Sequence, residues 1–216
     1  MHFQLTTMGF SEKQLQIIAA AEKLFANRGF DGTSVRDIAE EAGVNIAMIS
    51  YYFGSKEKLM QALFSERTGQ IRMKVESLLQ DDSLTPLERI YVLADDYIER
   101  ISQKQQFHKI MFYEQMMEKN SVITEMLAEL KKENTSHVTR LIKDGQKRGA
   151  FRKDIDIVLL MNVLFGTVTQ TFMNQKYYRN YYNLENLSDE ALRERLKKKL
   201  SNHIKTIFKA LLTYEA

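Results

Sequence analysis

Along this chain apolar residues return every three or four positions almost from end to end, the period of amphipathic helices, and no stretch shows the alternation of a half-buried strand. Ile17, Ile18, Ala21, Leu24 and Phe25 make the first stripe. Ser11 and Gln14 open it with capping-box spacing, and Asn27-Arg28-Gly29-Phe30 closes it. Val35, Ile38, Ala39 and Ala42 make the second, with Thr33 or Ser34 as its cap and Arg36, Glu40 and Glu41 left for solvent. Gly43 stands one position past the last apolar residue, where a left-handed turn is costly for any residue with a Cβ. Asn45 then caps a third helix, with Ile49, Tyr52 and Phe53 inward and Ile46, Ala47, Met48, Ser50 and Tyr51 nearer the outer face.

Two short helices joined by a glycine turn, followed by another capped helix, have the arrangement of a helix-turn-helix, whose second helix enters the major groove of DNA. Ser55 caps the following helix, and Lys56 and Lys58 in its first turn place positive charge beside amide groups suited to a phosphate. The order Gly29-Phe30, Thr33, Ile38-Ala39, Gly43-Val44, Tyr52-Phe53, Ser55-Lys56-Glu57 and Leu59 resembles the DNA-binding domain of the TetR-type family of bacterial transcriptional regulators. That resemblance implies a recognition helix over Asn45, Ile46, Ala47, Met48 and Ser50, with phosphates held from Thr33, Ser34, Arg36, Tyr51, Tyr52 and Lys56. Two positions depart from the family: Ile46 stands where many members have a basic or small polar residue, and Ser50 where a tyrosine is common. The base-reading pattern is therefore this chain's own. Ile46 and Met48 offer contacts to thymine methyl groups, and Asn45 a hydrogen bond to a base or phosphate unless capping occupies it.

Beyond residue 60 the period stays helical. A long helix is expected from Ser55 to about Leu79, and Thr85-Pro86-Leu87-Glu88 opens another with capping-box spacing and the chain's only proline at the first helical position. Further helices are expected over 86–102, 104–118, 121–148, 154–176 and 188–214, making about nine in an all-α fold: a three-helix DNA-binding head over 1–54 and a helical bundle over 55–216 for ligand binding and dimerisation. The helix from 154 is apolar on nearly all sides, and Leu192, Leu196, Leu200, Ile204, Ile207 and Leu211 stripe the last one. A four-helix contact between two subunits accounts for both, with Ile157, Val168, Phe172, Leu196, Leu200, Ile204, Ile207 and Leu211 as its candidate residues.

The resemblance further implies a repressor that leaves a palindromic operator when a small molecule enters the bundle and changes the spacing of two heads. Met111, Phe112, Met126, Met161, Phe165 and Met173 are candidates for an adaptable apolar lining, with Gln115 and Gln170 as polar partners. No arginine cluster projects from these stripes, which favours an apolar or amphipathic effector.

Composition narrows the function classes. The chain has 216 residues with 44% hydrophobic content, enough for a substantial core, and no cysteine, so disulfides and thiolate metal sites are out of reach. No uninterrupted apolar run is long enough for a bilayer, and MHFQLTTMGF lacks the basic flank and long apolar region of a secretory signal, so the expected location is the cytoplasm. His2, His108, His137 and His203 lack ligand-like spacing, and neither a phosphate loop nor a nucleophile elbow is present, so neither catalysis, a metal nor a cofactor is expected. The cluster from Lys176 to Tyr182 reads as a covering loop. Residues 1–60 carry six lysines and arginines against seven aspartates and glutamates, a net charge of −1, although the whole chain carries +3. A slightly negative head also fits an interaction module that binds protein. If the head reads DNA, few phosphate contacts hold it, so a gel-shift salt titration is expected to show a shallow loss of affinity; a steep one would reveal many more contacts.

Overall fold

The computed structural model describes residues 9–68, 71–117 and 121–214, and every regular element among them is a helix. In chain order these are α1 (Glu12–Arg28), α2 (Val35–Glu41), α3 (Ile46–Phe53), α4 (Lys56–Thr68), α5 (Ile71–Gln80), α6 (Pro86–Gln103), α7 (Gln105–Met117), α8 (Ser121–Lys147), α9 (Ile157–Met173), α10 (Gln175–Tyr181) and α11 (Asp189–Leu212). The described helices outnumber the nine expected because the segment from Ser55 to Leu79 is described as α4 and α5 on either side of residues 69–70, and because the aromatic stretch after Met173 is not a loop. It forms α10, at 72° to α9. There Tyr178 and Tyr182 pack one turn apart with ring centroids at 4.6 Å, a side-chain pair that supports a short helix. Residues 1–8, with the stretch read for a secretory signal and His2, lie outside the described residues, as do 69–70 and 118–120 of the expected helices.

Local chemistry sets the helix starts. Ser11 with Gln14, Ser34 with Asp37 and Thr85 with Glu88 form reciprocal capping boxes, and Pro86 occupies the first turn of α6. Gly43 has φ 60°, the left-handed backbone that ends α2 and turns the chain into α3.

The chain divides into two compact units that do not coincide with a single boundary after residue 54. One is built from the chain up to Ile71 and from Gln106–Lys131, the other from Arg72–Gln105 and from Lys132 onward. In the first, α1 packs on α2 and α4, and α3 on α2 and α4. Ile17, Phe25, Ile38, Ile49, Leu63 and Phe64 form one continuous core with Phe107 and Ile110 of α7 and Leu127 of α8. The three helices of the head thus share their apolar core with α4, α7 and the start of α8.

In the second unit α6, α9 and α11 pack mutually. Ile90, Leu93 and Ile98 of α6 are buried, as are Leu164, Val168 and Phe172 of α9 and Leu196, Leu200 and Ile204 of α11. Val168, Phe172, Leu196, Leu200 and Ile204 were candidates for a contact between subunits; they are interior residues of one chain and have no surface left for a second. Ile207 and Ile157 are half-buried, and Leu211 remains exposed. Polar ties flank this core, with Lys205 donating to Asp95 at 2.6 Å and Lys197 to Glu99 at 2.8 Å. Gly145 leaves room for Phe151, since a Cβ there would lie 2.2 Å from the phenyl ring.

Arg89 is 1% exposed, a feature that the stripe of α6 did not announce. Its guanidinium donates to Asp144 at 3.0 Å and to the Asp81 carbonyl at 2.8 Å, tying α6 to α8 and to the turn after α5. Without the guanidinium the Asp81 carbonyl loses its charged donor and Asp144 keeps Arg148, so Arg89→Met is expected to lower stability by about 2 kcal/mol, read as a reduced urea midpoint with an unchanged slope.

Candidate functional site

The turn between α1 and α2 fixes the position of the helix-turn-helix. Phe30 is buried there, its ring centroid 5.4 Å from that of Phe25. Its N–H donates to the Glu114 carboxylate of α7 at 3.3 Å, and its carbonyl accepts from the Lys56 ammonium of α4 at 2.8 Å. The same ammonium donates to the Thr33 carbonyl at 2.9 Å and lies 4.1 Å from the centroid of the Phe30 ring. Phe30 is thereby gripped by both of its backbone groups, an anion on the N–H of the peptide before it and a cation on the carbonyl of the peptide after it, both charge-assisted bonds.

This geometry corrects two expected phosphate contacts. Lys56 is half-buried and gives two of its three donors to backbone carbonyls, so it organises the head from within. Thr33 is 1% exposed, and its hydroxyl donates to the Gly29 carbonyl at 2.9 Å. Ser34, not Thr33, caps α2. The Ser34 hydroxyl and backbone N–H hold the Asp37 carboxyl below the usual carboxylate range, so that box stays charged and intact until the pH falls well into the acid range. Arg36 is exposed on α2, and Lys58 is exposed in the first turn of α4.

On α3 the outward residues form one stripe. Ile46, Ala47, Ser50 and Tyr51 are exposed, while Ile49 and Phe53 on the opposite side are buried. Met48 and Tyr52 are half-buried at the edges, with the Tyr52 ring edge-on to both Tyr51 and Phe53. Asn45 caps the helix, its Oδ1 accepting from the Ala47 N–H at 2.9 Å.

The candidates for effector contact are distributed over both units. In the first, Met111 and Met126 pack on the shared core, and Phe112 and Gln115 are exposed. In the second, Met161 is buried and Phe165 packs against Tyr97 with ring centroids at 4.9 Å. The Tyr97 hydroxyl lies 3.4 Å from that of Thr169, and burial pushes its pKa up to about 12. Gln170 and Met173 are exposed on the side of α9 opposite Leu164 and Val168, so they do not line that unit's interior. Sequence reasoning missed Tyr97, which stands in no recognisable motif, and Glu114, whose carboxylate holds the Phe30 amide.

Loss of the Lys56 ammonium leaves two carbonyls without their charged donor, so Lys56→Met is expected to cost about 2 kcal/mol of stability. Tyr51→Ala, a change at an exposed position, is expected to stay within about 0.5 kcal/mol. Chemical denaturation of the two variants separates an internal tie from a surface contact.

Residues 17–63 match the profile of the bacterial regulatory proteins, tetR family, and residues 86–202, more than half of the chain, that of the tetracyclin repressor-like C-terminal domain. The HTH-type transcriptional repressor KstR2 of Rhodococcus jostii (strain RHA1) is 30% identical over 168 residues, covering 74% of this chain and 78% of that protein. A fatty acid metabolism regulator protein of Bacillus subtilis (strain 168) is 24% identical over 180 residues, covering 83% of this chain and 92% of that protein. Among solved structures, the transcriptional regulator FadR from Bacillus subtilis in complex with stearoyl-CoA matches with a TM-score of 0.64 at 22% identity, covering 89% of this chain and 97% of that one, a likeness of fold. With a helix-turn-helix whose second helix presents an exposed stripe, and with both domain profiles matched in order, this chain belongs to the tetR family of bacterial regulatory proteins.

Proposed function

We propose that this regulator binds a palindromic DNA operator as a homodimer and is released from it by an apolar or amphipathic small molecule. The observation that carries the DNA reading is the outward stripe of Ile46, Ala47, Ser50 and Tyr51 on a helix anchored from behind by Ile49 and Phe53. A helix exposed on one side and fixed on the other has the geometry needed to enter a major groove. Arg36 and Lys58 are the exposed cations nearest the helix-turn-helix in sequence and serve as its phosphate contacts.

For the dimer, support comes from apolar residues left uncovered on α9 and α11. Val158, Leu159 and Met173 are exposed on α9, and Leu211 on α11. A two-fold axis through such faces brings the same patch from each subunit together and gives two heads for the two halves of a palindrome. The head through Gly54 reads DNA, and the remainder serves the effector and the dimer.

The effector class rests on the lining candidates and on the relatives. Met111, Met126, Met161 and Phe165 are apolar and adaptable, and the relatives' names concern fatty acid metabolism, a ketosteroid and stearoyl-CoA. A molecule with a long apolar body, of the acyl or steroid kind, is the effector proposed.

Selection of bound sequences from a random duplex pool tests this reading. The intact protein is expected to enrich a palindrome that the Tyr51→Ala, Arg36→Ala variant fails to enrich, and long-chain acyl-CoA or a free fatty acid to lower the fraction bound. Absence of any enriched motif from a folded protein would defeat the DNA reading, and a motif without symmetry would defeat the dimer.

A further inference from the structure

The exposed side of α3 lacks the usual instruments of base recognition. No residue from Ile46 to Phe53 carries a guanidinium, an ammonium, a carboxylate or a carboxamide. In the major groove guanine presents two acceptors that arginine or lysine reads, adenine an acceptor and a donor that asparagine or glutamine reads as a pair, and thymine a methyl group. Asn45 is the carboxamide adjoining the stripe, and its Oδ1 already accepts from the Ala47 N–H at 2.9 Å as the cap of α3. The cap fixes the direction of that oxygen, so turning Oδ1 and NH2 together onto an adenine competes with the start of α3. Lys56 has turned inward onto two carbonyls, and the Thr33 hydroxyl is buried on a third. At three positions where the chain offers polar chemistry for DNA, folding has already spent all or part of it.

What α3 does present at its N-terminal end, the end that meets base edges in a helix-turn-helix, is aliphatic. Ile46 keeps 45% of its surface exposed and Ala47 is exposed beside it, whereas the thioether of Met48 belongs to a half-buried side chain. We infer that Ile46 and Ala47 read the C5-methyl groups of thymines, so that the operator bases facing the start of α3 are thymines recognised by apolar contact. This rests on the DNA-binding reading above and adds to it the identity of the bases and of the residues that select them. Discrimination follows from two terms. A methyl group moved from water onto an aliphatic side chain is worth roughly fourfold in affinity. A cytosine in the same place sets its amino group against an alkyl surface, where the N–H bonds go unmet.

The test uses the full-length protein and the duplex recovered by selection, resynthesised with deoxyuridine in place of thymine at one position at a time. Binding is measured by fluorescence anisotropy at a fixed salt concentration, and guanines are replaced by 7-deazaguanine in a parallel series. At least one thymine in each half of the operator is expected to lose roughly fourfold in affinity per methyl removed. Ile46→Ala is expected to bind the thymine duplex more weakly and to lose most of its sensitivity to uracil. Because Ile46 is exposed, the variant's folding is checked by its unchanged denaturation midpoint. An operator that tolerates uracil everywhere overturns the inference while leaving DNA binding intact, as does a uracil penalty that Ile46→Ala retains in full or one exceeded by the 7-deazaguanine penalty. If no duplex is enriched, the DNA reading falls and takes this inference with it.

Discussion

Everything that the helix-turn-helix presents to the outside depends on how one buried turn is held. The backbone of Phe30 is fixed on its N–H by a carboxylate from α7 and on its carbonyl by an ammonium from α4. Each charge is compensated by the backbone group it holds, Glu114 by the Phe30 N–H and Lys56 by the Phe30 and Thr33 carbonyls. Since Lys56 also holds the Thr33 carbonyl, the start of α2 is positioned by the same ammonium. α2 in turn packs on α3. The orientation of α3 is thus tied to contacts made inside the fold.

Such an arrangement gives α7 two duties within the first compact unit. Its Phe107 and Ile110 belong to the core that supports the head, and its Glu114 reaches the turn. The same helix carries Met111, which packs on that core, and the exposed Phe112 and Gln115. A displacement of α7 by any bound molecule would be felt at Phe30 without an intermediate element, because packed cores transmit shifts rather than absorb them. In the second unit the ties are of another kind: Lys197, Lys205 and Arg89 fix α6 against α11 and α8 by ion pairs at the margins of an aliphatic core.

The helices before residue 60 were legible because each announces itself twice, once by period and once by a cap: Ser11, Ser34 and Asn45 all cap where spacing places them, and Gly43 turns left-handed where the second stripe ends. The inner and outer faces of α9 were not legible. Nearly every residue of its first half is apolar, so period alone cannot say which side is inside: Met161, Val168 and Phe172 lie in the core together, while Gln170 and Met173 lie outside. The stripe of α11 was read correctly as a stripe, yet Leu196, Leu200 and Ile204 face α6 and α9 of their own chain. An amphipathic pattern reports that a face is covered and is silent about what covers it.

By itself, then, the order of residues determined the all-helical class, the helix-turn-helix and its reading helix, because these depend on interactions within a few positions of one another. Tertiary structure decided the availability of each polar group. Lys56 carries a side chain fit for phosphate, and only the approach of the Phe30 carbonyl, from the far side of α2 and α3 in the sequence, engages it. Arg89 resembles any surface arginine until Asp144, far along the chain, closes over it. A hydrogen-bonding group is committed by whichever partner lies within about 3 Å in the folded chain, and partners brought together by long-range packing leave no period or spacing to read.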